Sequence, residues 1–278
     1  MGFRISTNVA ALNAQRNLLG SQQQINDSFS KLASGSRINK AADDAAGLAI
    51  SEQLNAQIRS IQQTTRNAND GISMVQTAEG GLNEISNILI RLRELGIQAA
   101  SDTIGHTERS FIDKEVQQQK NEIQRIAQVT KWGEDIQLLN GTGDQLDFQV
   151  GIYNDDFEDR ISFNPANSDA SLDVLGIQSI DFSTQEGAQA ALNPLDEALT
   201  RVSSNRANLG ALQNRLQSTV QNSLVAEENM AAANSRIRDT DVAAASAEVA
   251  RNKILLQANV ATLAQANQTG ALALQLIG

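Results

Sequence analysis

Residues 50–95 read ISEQLNAQIRSIQQTTRNANDGISMVQTAEGGLNEISNILIRLREL, and this stretch decides the fold. Apolar side chains recur in it at alternating steps of three and four, broken only by Thr65 and Glu79. The positions are Ile50, Leu54, Ile58, Ile61, Thr65, Ala68, Ile72, Val75, Glu79, Leu82, Ile85, Leu89, Leu92 and Leu95. A mean step of about 3.5 residues predicts a helix that supercoils left-handedly with partner helices. At roughly 68 Å, such a helix can bury its seam only against other long helices.

The composition limits what the rest of the chain can do. The net charge is −10, and residues 131–186 hold twelve acidic and two basic side chains. This acidity argues against nucleic acid as a partner, because phosphate binding needs clustered Lys and Arg. The chain has no cysteine and one histidine, His106, which is expected in a polar turn. We therefore expect no metal site, no cofactor and no catalytic residues, and no segment is apolar enough to enter a membrane.

Before the long helix, the sequence predicts a shorter and weaker one. Its apolar stripe is thin and lies among Asn, Gln and Ser, so it requires a partner helix. The stripe consists of Val9, Leu12, Leu19, Ile25, Phe29 and Leu32. Gly35 is suited to end this helix, and Asp43 and Asp44 are suited to the positive end of the long one.

After the long helix, a short connection at residues 101–105 predicts an antiparallel neighbour. Its heptad positions are Ile112, Val116, Ile123 and Ile126. Residues 146–150 and 160–163 then alternate with period two, which predicts a β-hairpin. The acidic run at 154–159 is predicted to be its solvated tip. A calcium loop is the alternative, but it would need alternating oxygen ligands around a glycine at the sharp turn.

Helical spacing resumes after Pro194, which is expected in the first turn of a second long helix. Its apolar positions are Leu195, Leu199, Val202, Leu209, Leu212, Leu216, Val220 and Met230. A last helix carries the stripe Val242, Ala245, Val249, Leu256, Val260, Leu263, Ala271, Leu274 and Ile277. Both chain ends are rich in Ala, Asn, Gln and Leu with little charge, so we expect the two terminal helices to lie side by side.

Two sets of motifs carry a family resemblance. Residues 6–12 (STNVAAL) and 32–51 (LASGSRINKAADDAAGLAIS) resemble the amino-terminal signature of bacterial flagellin. Residues 206–216 (RANLGALQNRL), 235–241 (SRIRDTD) and 263–268 (LAQANQ) resemble its carboxy-terminal signature. The match covers nearly all of the chain outside residues 131–186, a segment with room for the hairpin and little else. The chain therefore resembles a minimal flagellin that lacks the outer variable domains.

This resemblance implies a mainly α fold, an elongated antiparallel bundle of long, coiled-coil-like helices with a small β-hairpin region and paired terminal helices. Residues 1–43 and 240–278 would form an inner core domain of terminal helices. Residues 44–130 and 187–239 would form the long-helix bundle domain, with 131–186 as a hairpin segment of the same outer layer. The implied function is a structural, non-enzymatic subunit that polymerises into the flagellar filament for motility. The filament would be extracellular, whether naked, sheathed or periplasmic.

Physical chemistry supplies the mechanism for that function. Terminal helices with so little apolar surface are expected to be disordered in the monomer and to order as they pack between copies. The predicted self-assembly residues are Val9, Leu12, Leu19, Phe29, Leu32, Val249, Leu256, Val260, Leu263 and Leu274. Export would follow the flagellar type III route. By resemblance, the partners are an export chaperone, a cap protein and hook-junction proteins.

The sequence also bears on three other interpretations: a junction protein, a protease and a receptor ligand. A flagellin-like junction protein between hook and filament should lack the runs at 235–239 and 265–268, both of which are present. A metalloprotease insert would need a His-Glu-x-x-His motif, which the sequence lacks. Finally, Arg91, Leu95 and Glu115 resemble the residues read by a vertebrate innate immune receptor; the plainer interpretation is an exposed helix face used in subunit contacts.

Overall fold

Most of the described residues are helical, and the strands among them lie in one region. The computed structural model describes residues 7–275, and side chains within residues 7–268. In order, the elements are α1 (Val9–Ser34), α2 (Ala45–Ala99), α3 (His106–Val129), β1 (Lys131–Trp132), β2 (Ile136–Gln137), β3 (Leu146–Gln149), β4 (Arg160–Phe163), a 3₁₀ turn (Pro165–Ser168), α4 (Leu172–Leu175), α5 (Gln185–Arg238) and α6 (Val242–Gln275). No helix within the described residues is both long and apolar enough to cross a bilayer.

The described contacts divide the chain into two compact units. One unit is Arg59–Glu227, and the other combines the chain before Arg59 with the chain after Glu227. This division falls inside α2 and α5, whereas the predicted domain boundaries at 43 and 240 lie at helix ends. The assignment of those predicted domains to an inner core and an outer layer stays a prediction.

Most of the predicted seam of α2 from Ile61 to Leu95 is buried, whereas Thr65, Ile72 and Glu79 are partly exposed. From Ala68 onward, its buried side chains pack with α3 and α5 in one apolar core. Ile50 departs from the pattern, since half of its surface is exposed. The buried core residues on the partner helices are Ile112, Val116 and Ile123 of α3 and Leu195, Val202, Leu209 and Leu216 of α5.

Polar contacts show that the long helices run antiparallel. Arg93 of α2 pairs with Asp196 of α5 at 2.6 Å, and Glu79 pairs with Arg206 at 3.7 Å. Toward the start of α2, Gln62 donates to Glu227 at 2.7 Å. Residue numbers therefore fall along α5 as they rise along α2. Helix α3 is also antiparallel to α2. Arg91 pairs with Glu115 of α3, and Arg109, nearer the start of α3, caps the end of α2 by donating to the Ala99 carbonyl at 2.8 Å.

The predicted hairpin is confirmed, with Leu146 opposite Phe163 and Gln149 opposite Arg160. Its acidic tip is solvated except at Asp159, which is buried and accepts a hydrogen bond from the Asp155 amide. The β1–β2 hairpin, the 3₁₀ turn and α4 were not predicted. This region also supplies core side chains, notably Leu139, Ile177 and Phe182. Gly81 lets Leu139 approach α2 closely, because a Cβ there would lie 2.7 Å from the Leu139 Cδ1 atom.

The predicted start of α5 was wrong, because Pro194 lies inside the helix rather than in its first turn. The helix begins at Gln185, where the Thr184 hydroxyl accepts a hydrogen bond from the Gly187 amide. This N-cap and the buried side chains of Ala188 and Ala191 stabilise the extra turns. Together they compensate for the backbone hydrogen bond that proline removes.

Candidate functional site

The terminal helix pair is formed by α1 and α6, which lie side by side as the sequence predicts and run antiparallel. The Asn8 side chain caps α1 by accepting from the Ala11 amide, and its Nδ2 donates to the Ala266 carbonyl of α6 at 2.8 Å. Further along, Asn259 donates to the Ser21 hydroxyl at 2.9 Å. At the other end, Ser36 and Asp239 form an isolated β-bridge. These contacts set the register of the two helices.

The seam between α1 and α6 is a coiled coil with small and polar residues in its core. On both helices, the shielded positions recur at steps of three and four. They are Ala11, Ala14, Leu18, Ser21, Ile25, Ser28 and Leu32 on α1, and Ala245, Val249, Asn252, Leu256, Asn259, Leu263 and Ala266 on α6. Its serine and asparagine positions bury little apolar area, so this seam holds the pair less firmly than a fully apolar seam would.

Three of the larger apolar side chains of α1 lie on its other face. Val9, Leu12 and Leu19 are between 53% and 62% exposed. Leu12 lies two residues before the buried seam position Ala14, and Leu19 lies two residues before Ser21. Two residues correspond to a rotation of about 200° around the helix. Val9, Leu12 and Leu19 of the predicted α1 stripe therefore face away from α6, whereas Ile25 and Leu32 lie in the seam. Only Ile25 of that stripe is buried, and Phe29 lies at the edge of the seam with Lys253 Nζ 5.2 Å from its ring centroid.

A similar exposed group lies on α6. Ile254 is 66% exposed and lies on the face opposite Asn252, while Leu255 and Val260 flank the seam and are also exposed. We call Val9, Leu12, Leu19, Phe29, Ile254, Leu255 and Val260 the outer apolar set. These exposed apolar side chains along one helix pair are the candidates for contact with other molecules.

The predicted self-assembly residues thus divide into two groups. Val9, Leu12, Leu19, Phe29 and Val260 belong to the outer apolar set, whereas Leu32, Val249, Leu256 and Leu263 lie in the seam. The side chain of Leu274 lies outside those that the structure describes. Ile254 and Leu255 were missed because they do not fit the stripe assigned to α6. The small seam residues of α1 were missed as well, although their spacing from Ala11 onward carries the signal.

The predicted receptor-contact residues lie on α2 and α3 and are not equally accessible. Arg91 forms ion pairs with Glu115 at 3.0 Å and Glu94 at 3.2 Å, and its hydrogen bonds to these carboxylates raise its pKa. Leu95 is buried in the core, because it belongs to the α2 seam. Its side chain cannot reach a partner while the helices stay packed, which corrects its place in the predicted contact.

The residues described contain no group of three or more His, Asp or Glu side chains suited to hold a metal ion. The molecule is distinguished by its long paired helices and by a terminal pair that leaves several large apolar side chains exposed. These features define a helical structural protein that completes its packing in an assembly.

Comparison with known proteins gives the family. Residues 5–144 match the model of the bacterial flagellin N-terminal helical region, and residues 192–277 match that of the C-terminal helical region. A flagellin from Halalkalibacterium halodurans is 43% identical over 98% of this chain and 99% of its own length. A flagellar filament core protein from Brachyspira hyodysenteriae is 41% identical, again over 98% and 99% of the two chains. The chain belongs to the bacterial flagellin family.

Solved structures agree with this assignment. The crystal structure of Bacillus cereus flagellin has a TM-score of 0.51 and 28% identity, covering 57% of this chain and 88% of that one. A hook-associated protein from Vibrio parahaemolyticus has a TM-score of 0.58 over 71% of this chain, but at 14% identity it indicates a shared fold only.

Proposed function

We propose that the outer apolar set of the terminal helix pair is the surface through which copies of this chain join. The chain is a structural subunit that self-assembles into the bacterial flagellar filament, which serves motility outside the cell. Its relatives of 39–43% identity are flagellins and filament core proteins, which favours this function over a junction between hook and filament.

The observation that carries the proposal is the contrast between the two faces of α1. The face toward α6 buries Ser21 and Ser28, whereas Leu12 and Leu19 remain exposed on the opposite face. Fully burying a leucine side chain contributes about 1.5–3 kcal/mol. A chain that functions alone would gain by placing these leucines in its own seam. The arrangement is favourable only if another surface covers the outer face.

Burial between copies would also order the pair. The seam alone contributes little apolar area, so each terminal helix gains most of its stability when neighbouring subunits cover the outer apolar set. We infer that the terminal helices are loosely held in the monomer and become rigid in the filament. This coupling lets the chain stay separate before polymerisation and makes its incorporation cooperative.

Seeded polymerisation tests the proposal. Purified monomer is mixed with short filament fragments, and the polymer is collected by sedimentation. Leu12→Asn and Leu19→Asn should each reduce the sedimented fraction strongly, because a polar amide then faces the neighbouring copy. Gln23→Asn is the matched control, since Gln23 is an exposed polar residue of α1 and loses similar helix propensity. Normal polymer from both leucine variants would refute the assignment of this surface.

A truncation tests the same surface more coarsely. Removing residues 242–278 deletes α6, so assembly should be abolished while α2 keeps its helical signal in circular dichroism. The core of α2 lies with α3 and α5, which the truncation leaves intact. Filaments of normal length from the truncated chain would contradict the proposal.

The proposal extends to partners that rest on the family resemblance. An export chaperone would take the carboxy-terminal segment, a cap protein would guide insertion at the tip, and hook-junction proteins would hold the base. Recognition by a vertebrate innate immune receptor would use Arg91 and Glu115 without Leu95. Titrating the monomer against receptor ectodomain would test this, with Arg91→Ala as the informative variant; unchanged affinity in that variant would contradict the contact.

A further inference from the structure

Phe157 is the most exposed large apolar residue among those described. It lies in the turn between β3 and β4, and its side chain is 83% exposed. An exposed aromatic ring is costly in water, and aromatic residues are enriched among those that dominate protein interfaces. The position of Phe157 at the end of a hairpin makes it a candidate anchor for a partner.

The turn that presents Phe157 is held rigid. The Asp155 carboxylate accepts hydrogen bonds from the Phe157 amide at 2.8 Å and the Glu158 amide at 2.9 Å. These two donors lower the pKa of Asp155, so the carboxylate stays ionised. Asp159 is buried and accepts from the Asp155 amide, while Arg160 pairs with Asp156. A preorganised loop loses little conformational entropy on binding.

A groove of about 420 Å³ lies at the other end of β4. Its inner wall includes the buried side chains of Phe163 and Leu209. Its rim is polar and is formed by Asn164, Asn167, Asn208 and Arg215. Among the described residues, no carboxylate forms a salt bridge with Arg215. The groove thus combines an apolar interior with an available positive charge.

The tip and the groove cannot serve each other within one chain. The four residues of β4 separate them by about 13 Å, and the Phe157 ring is exposed rather than seated in its own groove. Two complementary surfaces at different places on one subunit form a heterologous, head-to-tail contact, which propagates into a helical polymer when it does not close. The acidic tip carries Glu158, whose charge is opposite to that of Arg215.

We propose that the groove binds the hairpin tip of a second copy, with the Phe157 ring inserted between the polar rim residues and Glu158 facing Arg215. This inference rests on the proposed function, because it assigns one of the contacts by which copies join. It adds to the outer apolar set a second, independent contact made by the Arg59–Glu227 unit.

The critical concentration for seeded elongation tests the contact. Phe157→Ala should raise it on the order of tenfold, as expected for loss of an aromatic anchor. Arg215→Glu should also raise it, and adding Glu158→Arg to that variant should restore assembly by exchanging the two charges. Val174→Ala is the control, because Val174 is an exposed apolar residue of the same unit outside both surfaces. An unchanged critical concentration in Phe157→Ala would overturn the proposal. This holds even if Arg215→Glu assembles poorly, because that pair of results would mean that the groove binds a segment other than the hairpin tip.

A cross-link gives a readout that does not depend on affinity. The chain contains no cysteine, so Phe157→Cys and Ala211→Cys subunits can be mixed, polymerised and oxidised. A disulfide-linked dimer should form in filaments and not in unpolymerised monomer. As a control, mixing Phe157→Cys with Val174→Cys subunits should give no such dimer. Filaments that form without this dimer would refute the contact and leave the filament function intact. Failure of the unmodified chain to elongate seeds would instead refute the proposed function.

Discussion

The two helical seams of this molecule follow the same spacing and differ in what they bury. In the Arg59–Glu227 unit, the α2 seam from Leu82 to Leu95 is apolar and almost fully buried. In the terminal helix pair, Ser21, Ser28 and Asn252 occupy equivalent heptad positions. A repeat of about 3.5 residues therefore sets which side chains face a partner helix, while residue size and polarity set how firmly the helices are held.

This difference assigns separate tasks to the two regions. The apolar seam makes a unit that keeps its shape without neighbours. If the proposed function holds, the mixed seam sets the register of the terminal pair, and its exposed apolar residues serve contacts between copies. Stability and assembly would then lie in different parts of one chain, and substitutions in the two seams should separate them.

The largest expected effect is in the apolar seam. Leu89→Ala should lower the free energy of unfolding by about 2–5 kcal/mol, because it leaves a cavity in a fully buried position. Chemical denaturation of the monomer measures this loss. Ile90→Ala is the control on the same helix turn, since Ile90 is half exposed and should cost much less. Equal losses in the two variants would show that the α2 seam is not the core of this unit.

The long-helix part of the fold could be predicted from the sequence because its signal is local and repeated. Most of the predicted positions along α2, α3 and α5 are buried, and of the others only Ile50 is exposed while the rest are partly buried. The region at 131–184 could not be predicted fully. Its short elements are fixed by contacts with distant residues, such as the Lys120 ammonium group donating to the Gln178 carbonyl at 2.7 Å, and these leave no periodic pattern.

The candidate surface could be predicted only in part. Large apolar positions at the chain ends indicated an apolar interaction, and five of them, four leucine or valine residues and Phe29, are exposed in the outer apolar set. Ala14, Ser21 and Ser28, the small positions by which α1 packs on α6, were not predicted, because the predicted stripe contained only the larger apolar residues. In a seam that contains small residues, the helix face that packs can be predicted only when the spacing of the small residues is considered together with that of the large ones.

A smaller effect is expected when a polar seam residue becomes apolar. Asn252 is buried at a core position of α6, where a polar residue fixes the register at a cost in stability. Asn252→Leu should stabilise the terminal pair by about 1 kcal/mol, which amide hydrogen exchange in α1 and α6 of the monomer would detect. Asn267→Leu is the matched control, because Asn267 is exposed on the same helix. Equal protection in both variants would remove the distinction between the seam and the outer face.

The smallest effect concerns the loop between α1 and α2, which polar contacts hold without a large core. The Asp43 carboxylate accepts hydrogen bonds from the amides of Lys40 and Asn39 at 2.9 and 3.0 Å, and these donors lower its pKa. A lowered pKa in the folded state means that the contribution of Asp43 is fully present above about pH 4 and is lost as the pH falls through the folded value. The amide proton shifts of Asn39 and Lys40 should titrate together in that range, and Asp43→Asn should abolish the titration. Amide shifts that stay constant through the acid range in the unmodified chain would show that this loop is held by something other than the carboxylate.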